Sequence, residues 1–87
     1  MAIAHSTWRV HPFEKGRIYT AKGSFDAFPS SCFVAGRQYV LVDVGYSHYD
    51  GCSVFQFKEV GSSSELSWWW SDDHGISECS ERFEQVV

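Results

Sequence analysis

The chain has 87 residues, enough for one domain. A domain of that size buries only a little over roughly 60% of its unfolded surface, so its core must be dense in large side chains. Seven Phe, four Tyr and four Trp meet that demand, and 44% hydrophobic with 21% charged residues, at a net charge of −4, excludes wholesale disorder.

Met1 to Pro12 shows no period and ends in His11-Pro12, which reads as a loose arm or a short edge strand. Residues 1–15 are assigned to that arm and 16–87 to a single small domain. Arg17 to Lys22, between Gly16 and Gly23, is a first strand. Phe25 to Ala35 contains Pro29, Ser30 and Ser31 and reads as a long loop plugged by Phe25, Phe28 and Phe33. Gln38 to Val44 is rich in β-branched residues and follows Gly36, a strong strand signal. Strict alternation puts Val40, Val42 and Val44 on its core face and Tyr39, Leu41 and Asp43 on the other. Tyr46 to Gly51 is a turn, with Asp50-Gly51 as the turn-forming pair.

Cys52 to Val60 and Glu65 to Trp70 form a hairpin around a Gly61-Ser-Ser-Ser64 tip. Phe55 and Phe57 share one face of the first strand; Leu66, Trp68 and Trp70 share one face of the second. The run Trp68-Trp69-Trp70 is the most telling feature of the sequence. Successive strand residues point to opposite faces, so Trp69 must leave the face that its neighbours fill. After the turn Asp72-Asp73-His74-Gly75, the apolar residues Ile76, Cys79, Phe83, Val86 and Val87 recur at spacings of three and four. That spacing predicts a short helix with Ser77 as its N-cap, and a terminal strand is the competing reading.

The expected fold is therefore mainly β: a small, SH3-like, strongly bent antiparallel barrel of four to five strands with a short C-terminal helix, closing on itself so that no edge is left open. Gly16-x-x-Tyr19, Phe25, Phe28, Gly36-x-x-Tyr39 through Leu41, Tyr46-Ser-x-Tyr49-Asp50-Gly51, Phe55-x-Phe57, Trp68 and Asp72-Asp73 carry a resemblance. The sequence resembles small uncharacterised bacterial domains with an SH3-like barrel, over roughly Gly16 to Val86. The resemblance implies the fold and no catalytic residues.

Charge is divided along the chain. Through Tyr49, Arg9, Lys15, Arg17, Lys22 and Arg37 stand against Glu14, Asp26 and Asp43; from Asp50 onward eight acids stand against Lys58 and Arg82. An acidic half argues against nucleic acid, whose phosphates need clustered Lys and Arg, and is either solubilising or suited to a basic partner. Cys32, Cys52 and Cys79 are widely spaced and odd in number; neither an apolar leader nor a run near the roughly 20 residues of a membrane span appears. The expectation is a cytoplasmic protein, away from membranes, with reduced thiols as core fillers.

Two turns gather chemistry-bearing side chains. Tyr46, His48, Tyr49 and Asp50 make either a base with its orienter, a ligand surface, or a tight turn with Asp50 bonding the backbone. Asp72, Asp73 and His74 make either part of a metal site or a solvated turn. Neither CxxC, HxxxH nor HExxH spacing occurs, nor a GxSxG elbow, nor a GK[ST] after Gly61. Catalytic residues, a metal and a cofactor are therefore not expected. Trp69, Tyr39, Tyr46, His48, Tyr49 and Asp50 are the expected binding residues, with Trp8 as a further member, unless the arm or the helix covers them. The functional expectation is a non-enzymatic protein- or peptide-binding module, inhibitor- or immunity-like towards a basic partner. The alternative is a small-molecule- or metal-binding enzyme using His48 or His74.

Overall fold

Strand β-branching and aromatic content concentrate between residues 38 and 71, and the structural backbone of the protein is built there. The computed structural model describes residues 3–4, 7, 9–27 and 31–86. In chain order the elements are β1 (Ile3–Ala4), β2 (Ile18–Ala21), β3 (Phe25–Ala27), β4 (Ser31–Phe33), β5 (Gln38–Ser47), β6 (Cys52–Glu59), β7 (Glu65–Ser71), α1 (Ser77–Arg82) and β8 (Phe83–Gln85). One antiparallel sheet runs β7-β6-β5-β2-β8, with β1 also pairing to β5; β3 and β4 form a separate hairpin. Among the described residues no helix is long and apolar enough to cross a membrane.

The protein is mainly β and antiparallel, but among the described residues the sheet does not close into the expected barrel: its path ends at β7 on one side and at β8 on the other. The two ends are plugged by other means. At β7 the Ser67 N–H donates to Ser31 Oγ at 3.0 Å, bringing the β3–β4 hairpin against that strand. At the other end β8 is only three residues long, and α1 leads directly into it. One edge is partly covered and the other is short, and each limits pairing at an open strand.

The β6–β7 hairpin pairs as its alternation requires, with Phe57 across from Leu66, Phe55 from Trp68 and Ser53 from Trp70. Trp68 and Trp70 are buried, whereas Trp69 lies on the opposite face, half-buried and directly across from Val54. β5 departs from strict alternation. A bulge between Leu41 and Asp43 inserts Val42, so Tyr39 and Leu41 point inward before it, and Val44 and Tyr46 after it. Val42 is left exposed, and Tyr39, expected on the outer face, is fully buried at 0% exposure. The bulge shifts the face by one residue, which reverses the assignment for everything before it.

The long-loop reading of 25–35 is replaced by the β3–β4 hairpin, which drives Phe33 fully into the core and stacks Phe25 on it at 5.0 Å; Phe28 lies outside the described residues. The C-terminal segment resolves both readings of its sequence. Helix α1 spans only Ser77–Arg82, and the chain then extends at Phe83 to pair with Ala21. Phe83 ends the helix because its ring belongs in the core, 4.8 Å from Phe57 and stacked on it. Ser77 is not the N-cap: Ile76 holds that position, without a side-chain cap.

The core is a mesh of rings. Phe13, placed in the arm by sequence, is 5% exposed and lies edge-on to Tyr19, Phe55, Phe57 and Phe83 at 4.8 to 5.9 Å. Edge-to-face contact of this kind adds about 0.5–1.5 kcal/mol per pair beyond burial itself. Residues 9–15 are therefore a strap whose Phe13 is part of the interior.

Candidate functional site

The two turns that gather chemistry-bearing side chains meet at one end of the sheet. Register brings them together: Ser47 pairs with Cys52 and Cys52 with Ser71, so the β5–β6 turn (48–51) and the segment after β7 (72–76) leave the sheet side by side. Asp72 N–H donates to the Gly51 carbonyl at 2.9 Å, and Gly51 N–H to the Ser47 carbonyl at 2.9 Å. Gly51 has a φ of 64°, a left-handed conformation that glycine adopts without steric cost. Ser47 Oγ donates to Asp50 Oδ2 at 2.8 Å, which ties the first turn to itself.

Tyr46, the last inward-facing ring of β5, crosses from one turn to the other. Its hydroxyl donates to Asp72 Oδ2, and its ring meets His48 edge-on at 4.9 Å. Tyr49 stands at the turn tip, 89% exposed, beside exposed His48 and Asp50. On the second turn His74 Nδ1 lies 2.9 Å from Glu78 Oε1, and Arg82 approaches the other Glu78 oxygen at 3.8 Å. The corner thus holds the carboxylates of Asp50, Asp72, Asp73 and Glu78 with a phenol-and-imidazole rim.

Into this corner the strap inserts Arg9, which no sequence motif marked. Its guanidinium carbon lies 3.6 Å from the centroid of the Trp70 ring. Nη1 donates to the Ser71 carbonyl at 2.9 Å and Nη2 to the His74 carbonyl at 2.8 Å. Asp72 Oδ1 is 4.0 Å from Nη1. The Trp70 ring is itself oriented, because its Nε1–H donates to the Gly75 carbonyl at 3.2 Å. A planar cation on an indole face, with both arms on carbonyls, is the arrangement in which arginine outperforms other side chains.

The electrostatics of the corner register on Cys52. Burial first, then the carboxylates of Asp50, Asp72 and Asp73, push its thiol up. A thiol held protonated is a poor nucleophile, whereas the same field attracts a cation. Among the described residues no group of three or more His, Cys, Asp and Glu is placed to hold a metal ion.

The expected binding residues are therefore only partly assembled. Tyr46, His48, Tyr49 and Asp50 share the corner. Trp69 lies on the outer face of β7, half-buried. Tyr39 is not available to a partner: it sits at the opposite end of β5, inside the core, where its hydroxyl accepts the Val34 N–H at 3.0 Å. Trp8 lies outside the described residues. Asp72 and Arg9 were the residues that sequence reasoning did not join to this set. Asp72 could have been found by counting back from the hairpin tip, since pairing from Lys58–Glu65 outward sets residue 71 against residue 52. For Arg9 no local pattern exists.

A cavity of about 280 Å³ lies elsewhere, among Pro12, Phe13, Tyr19, Cys79 and Phe83 with Lys22 alongside, and none of the expected binding residues lines it. Cys79 is fully buried there, and burial pushes its thiol up to about 12. Comparison with family models, with curated proteins and with solved structures finds no match to this chain.

Proposed function

We propose that the chain is a non-enzymatic binding module whose acidic corner takes a basic segment of a protein or peptide partner, as an inhibitor or immunity-like protein would. In this reading the bent sheet is an SH3-like scaffold that presents two turns, and the turns do the binding. The observation that carries it is Arg9: the corner already holds a guanidinium, on Trp70, two carbonyls and the Asp72 side. Exposed Tyr49 and His48 at the rim supply contact area at small entropy cost.

The test uses labelled basic and acidic peptides of equal length, titrated with the protein by fluorescence anisotropy at low and at high salt. Basic peptides bind more tightly, their affinity falls as salt rises, and Asp50→Asn with Asp73→Asn weakens them further. Equal affinity for acidic and basic peptides, or binding indifferent to salt, would overturn the proposal.

A further inference from the structure

We propose that Arg9 is a built-in occupant of an arginine-selective socket, and that an arginine of the partner takes its place. The inference rests on the acidic-corner reading and deepens it by naming the residue that the corner recognises.

The socket has a floor, two walls and a back. Trp70 is the floor, fixed by its bond to the Gly75 carbonyl and stacked near-parallel to Trp68 at 6.5 Å between centroids. The walls are the carbonyls of Ser71 and His74, which receive different arms of the guanidinium. An ammonium is a point charge without a planar fork, so a lysine in the same place forfeits the geometry that matches both carbonyls and the ring face together. At the back stands Asp72, whose Oδ2 is held by the Tyr46 hydroxyl.

Arg9 does not complete this socket. Asp72 Oδ1 is buried and accepts no hydrogen bond among the described residues, and Arg9 Nη1 stops 4.0 Å away, well beyond hydrogen-bond distance. A buried acceptor left unmade is costly, so a guanidinium seated about an ångström deeper gains an interaction that Arg9 lacks. The tether explains the shortfall. On one side the Arg9 N–H bonds Thr7 Oγ1 at 3.3 Å, and Thr7 Oγ1 meets Ser53 Oγ at 2.7 Å. On the other side Phe13 is locked in the core. Between them Val10 is 83% exposed and Pro12 is exposed, and His11, edge-on to Phe55 at 5.0 Å, is the packed residue of the intervening strap. An arginine arriving on another chain is free of both tethers. Arg9 then acts as an internal competitor, lowering apparent affinity by the fraction of time it fills the site.

The experiment compares wild-type protein with Arg9→Ala, using N-acetylargininamide and N-acetyllysinamide as probes and the Trp70 indole N–H as the reporter by NMR. In Arg9→Ala the arginine probe shifts that resonance saturably, about tenfold or more tighter than in wild type. The lysine probe is weaker in both proteins, and adding Asp72→Asn to Arg9→Ala weakens the arginine probe severalfold, because the buried carboxylate oxygen at the back of the socket loses its charge. If Arg9→Ala does not fold, Arg9→Lys carries the same comparison, since it keeps the apolar stem and loses the fork. Equal response to the two probes, or a variant that binds arginine no better than wild type does, overturns the socket and leaves Arg9 as a pin for the strap. The two proposals fail separately: basic peptides that bind with salt sensitivity but without distinguishing arginine from lysine refute the socket alone, whereas no preference for basic over acidic peptides refutes the acidic corner itself.

Discussion

The aromatic interior and the acidic corner are held in opposite ways. In the interior, Phe13, Phe33, Phe55, Phe57, Phe83, Trp68 and Trp70 meet one another through contacts that are individually weak and shared among many neighbours. In the corner, a few directional bonds decide everything: Tyr46 to Asp72, Asp72 to Gly51, Arg9 to two carbonyls. The interior yields stability, and a void opened at any of its rings is felt. A directional region stores selectivity, and it fails one bond at a time.

The largest break in that comparison is Phe13→Ala. The substitution empties a space walled by Tyr19, Phe55, Phe57 and Phe83, and chemical denaturation should show a loss of about 3–5 kcal/mol. If residues 9–15 were a dispensable arm, the loss would be within about 0.5 kcal/mol. Tyr46→Phe should cost less, about 1–3 kcal/mol, because it deletes only the hydroxyl bonded to Asp72 Oδ2 and keeps the ring beside His48. Its signature is local: amide exchange should quicken at Asp72 and Gly51, whose backbones are joined by the 2.9 Å bond, and remain slow at Phe55 and Phe57.

That contrast also governs what was legible in the sequence. The hairpin from Cys52 to Trp70 follows period-two alternation without a fault, so its faces and the division of the three tryptophans are readable directly. β5 is readable as a strand but not in its faces, because the bulge at Val42 has no signature in a run of valines. Tyr39 was misplaced for that reason alone. At the C-terminus, apolar spacing of three and four served a helix of six residues followed by a strand, since Cys79 and Phe83 both had to reach the core from different backbones. Local composition supplied half of the corner, in Tyr46, His48, Tyr49 and Asp50. Asp72 enters through strand register and Arg9 through a strap 62 residues from the carbonyl it bonds, and long-range pairing of that kind leaves no periodic trace.

His11 sits where the strap passes from one region to the other, and its titration sharpens the distinction. Its ring is edge-on to Phe55 at 5.0 Å, and Nδ1 accepts the Phe13 N–H at 3.2 Å, so the neutral imidazole carries its proton on Nε2. Burial lowers its pKa below the ordinary 6.5 and is the largest influence on it. A depressed folded value means that the unfolded chain takes up the proton first. The contribution is therefore fully present above about pH 6.5 and is lost as pH falls through the folded value. Thermal melts should show His11→Gln flattening the fall in stability below pH 6.5, by less than the effect of Tyr46→Phe; an unchanged slope would remove His11 from the account.

Tyr49→Ala is the smallest expected change to the fold and the most direct probe of the corner. At 89% exposure the ring has almost no apolar area left to lose on unfolding, so stability should stay within about 0.5 kcal/mol of wild type. A basic peptide docked between the two turns would cover that ring, and the same substitution should then weaken binding severalfold. Unchanged affinity would shift the contact surface away from the turn tip, towards Asp72 and Trp70, where Arg9 already lies. A residue that matters to the complex and not to the fold is what separates a directional corner from a core of shared contacts, and Tyr49 is the side chain on which those two measurements diverge most cleanly.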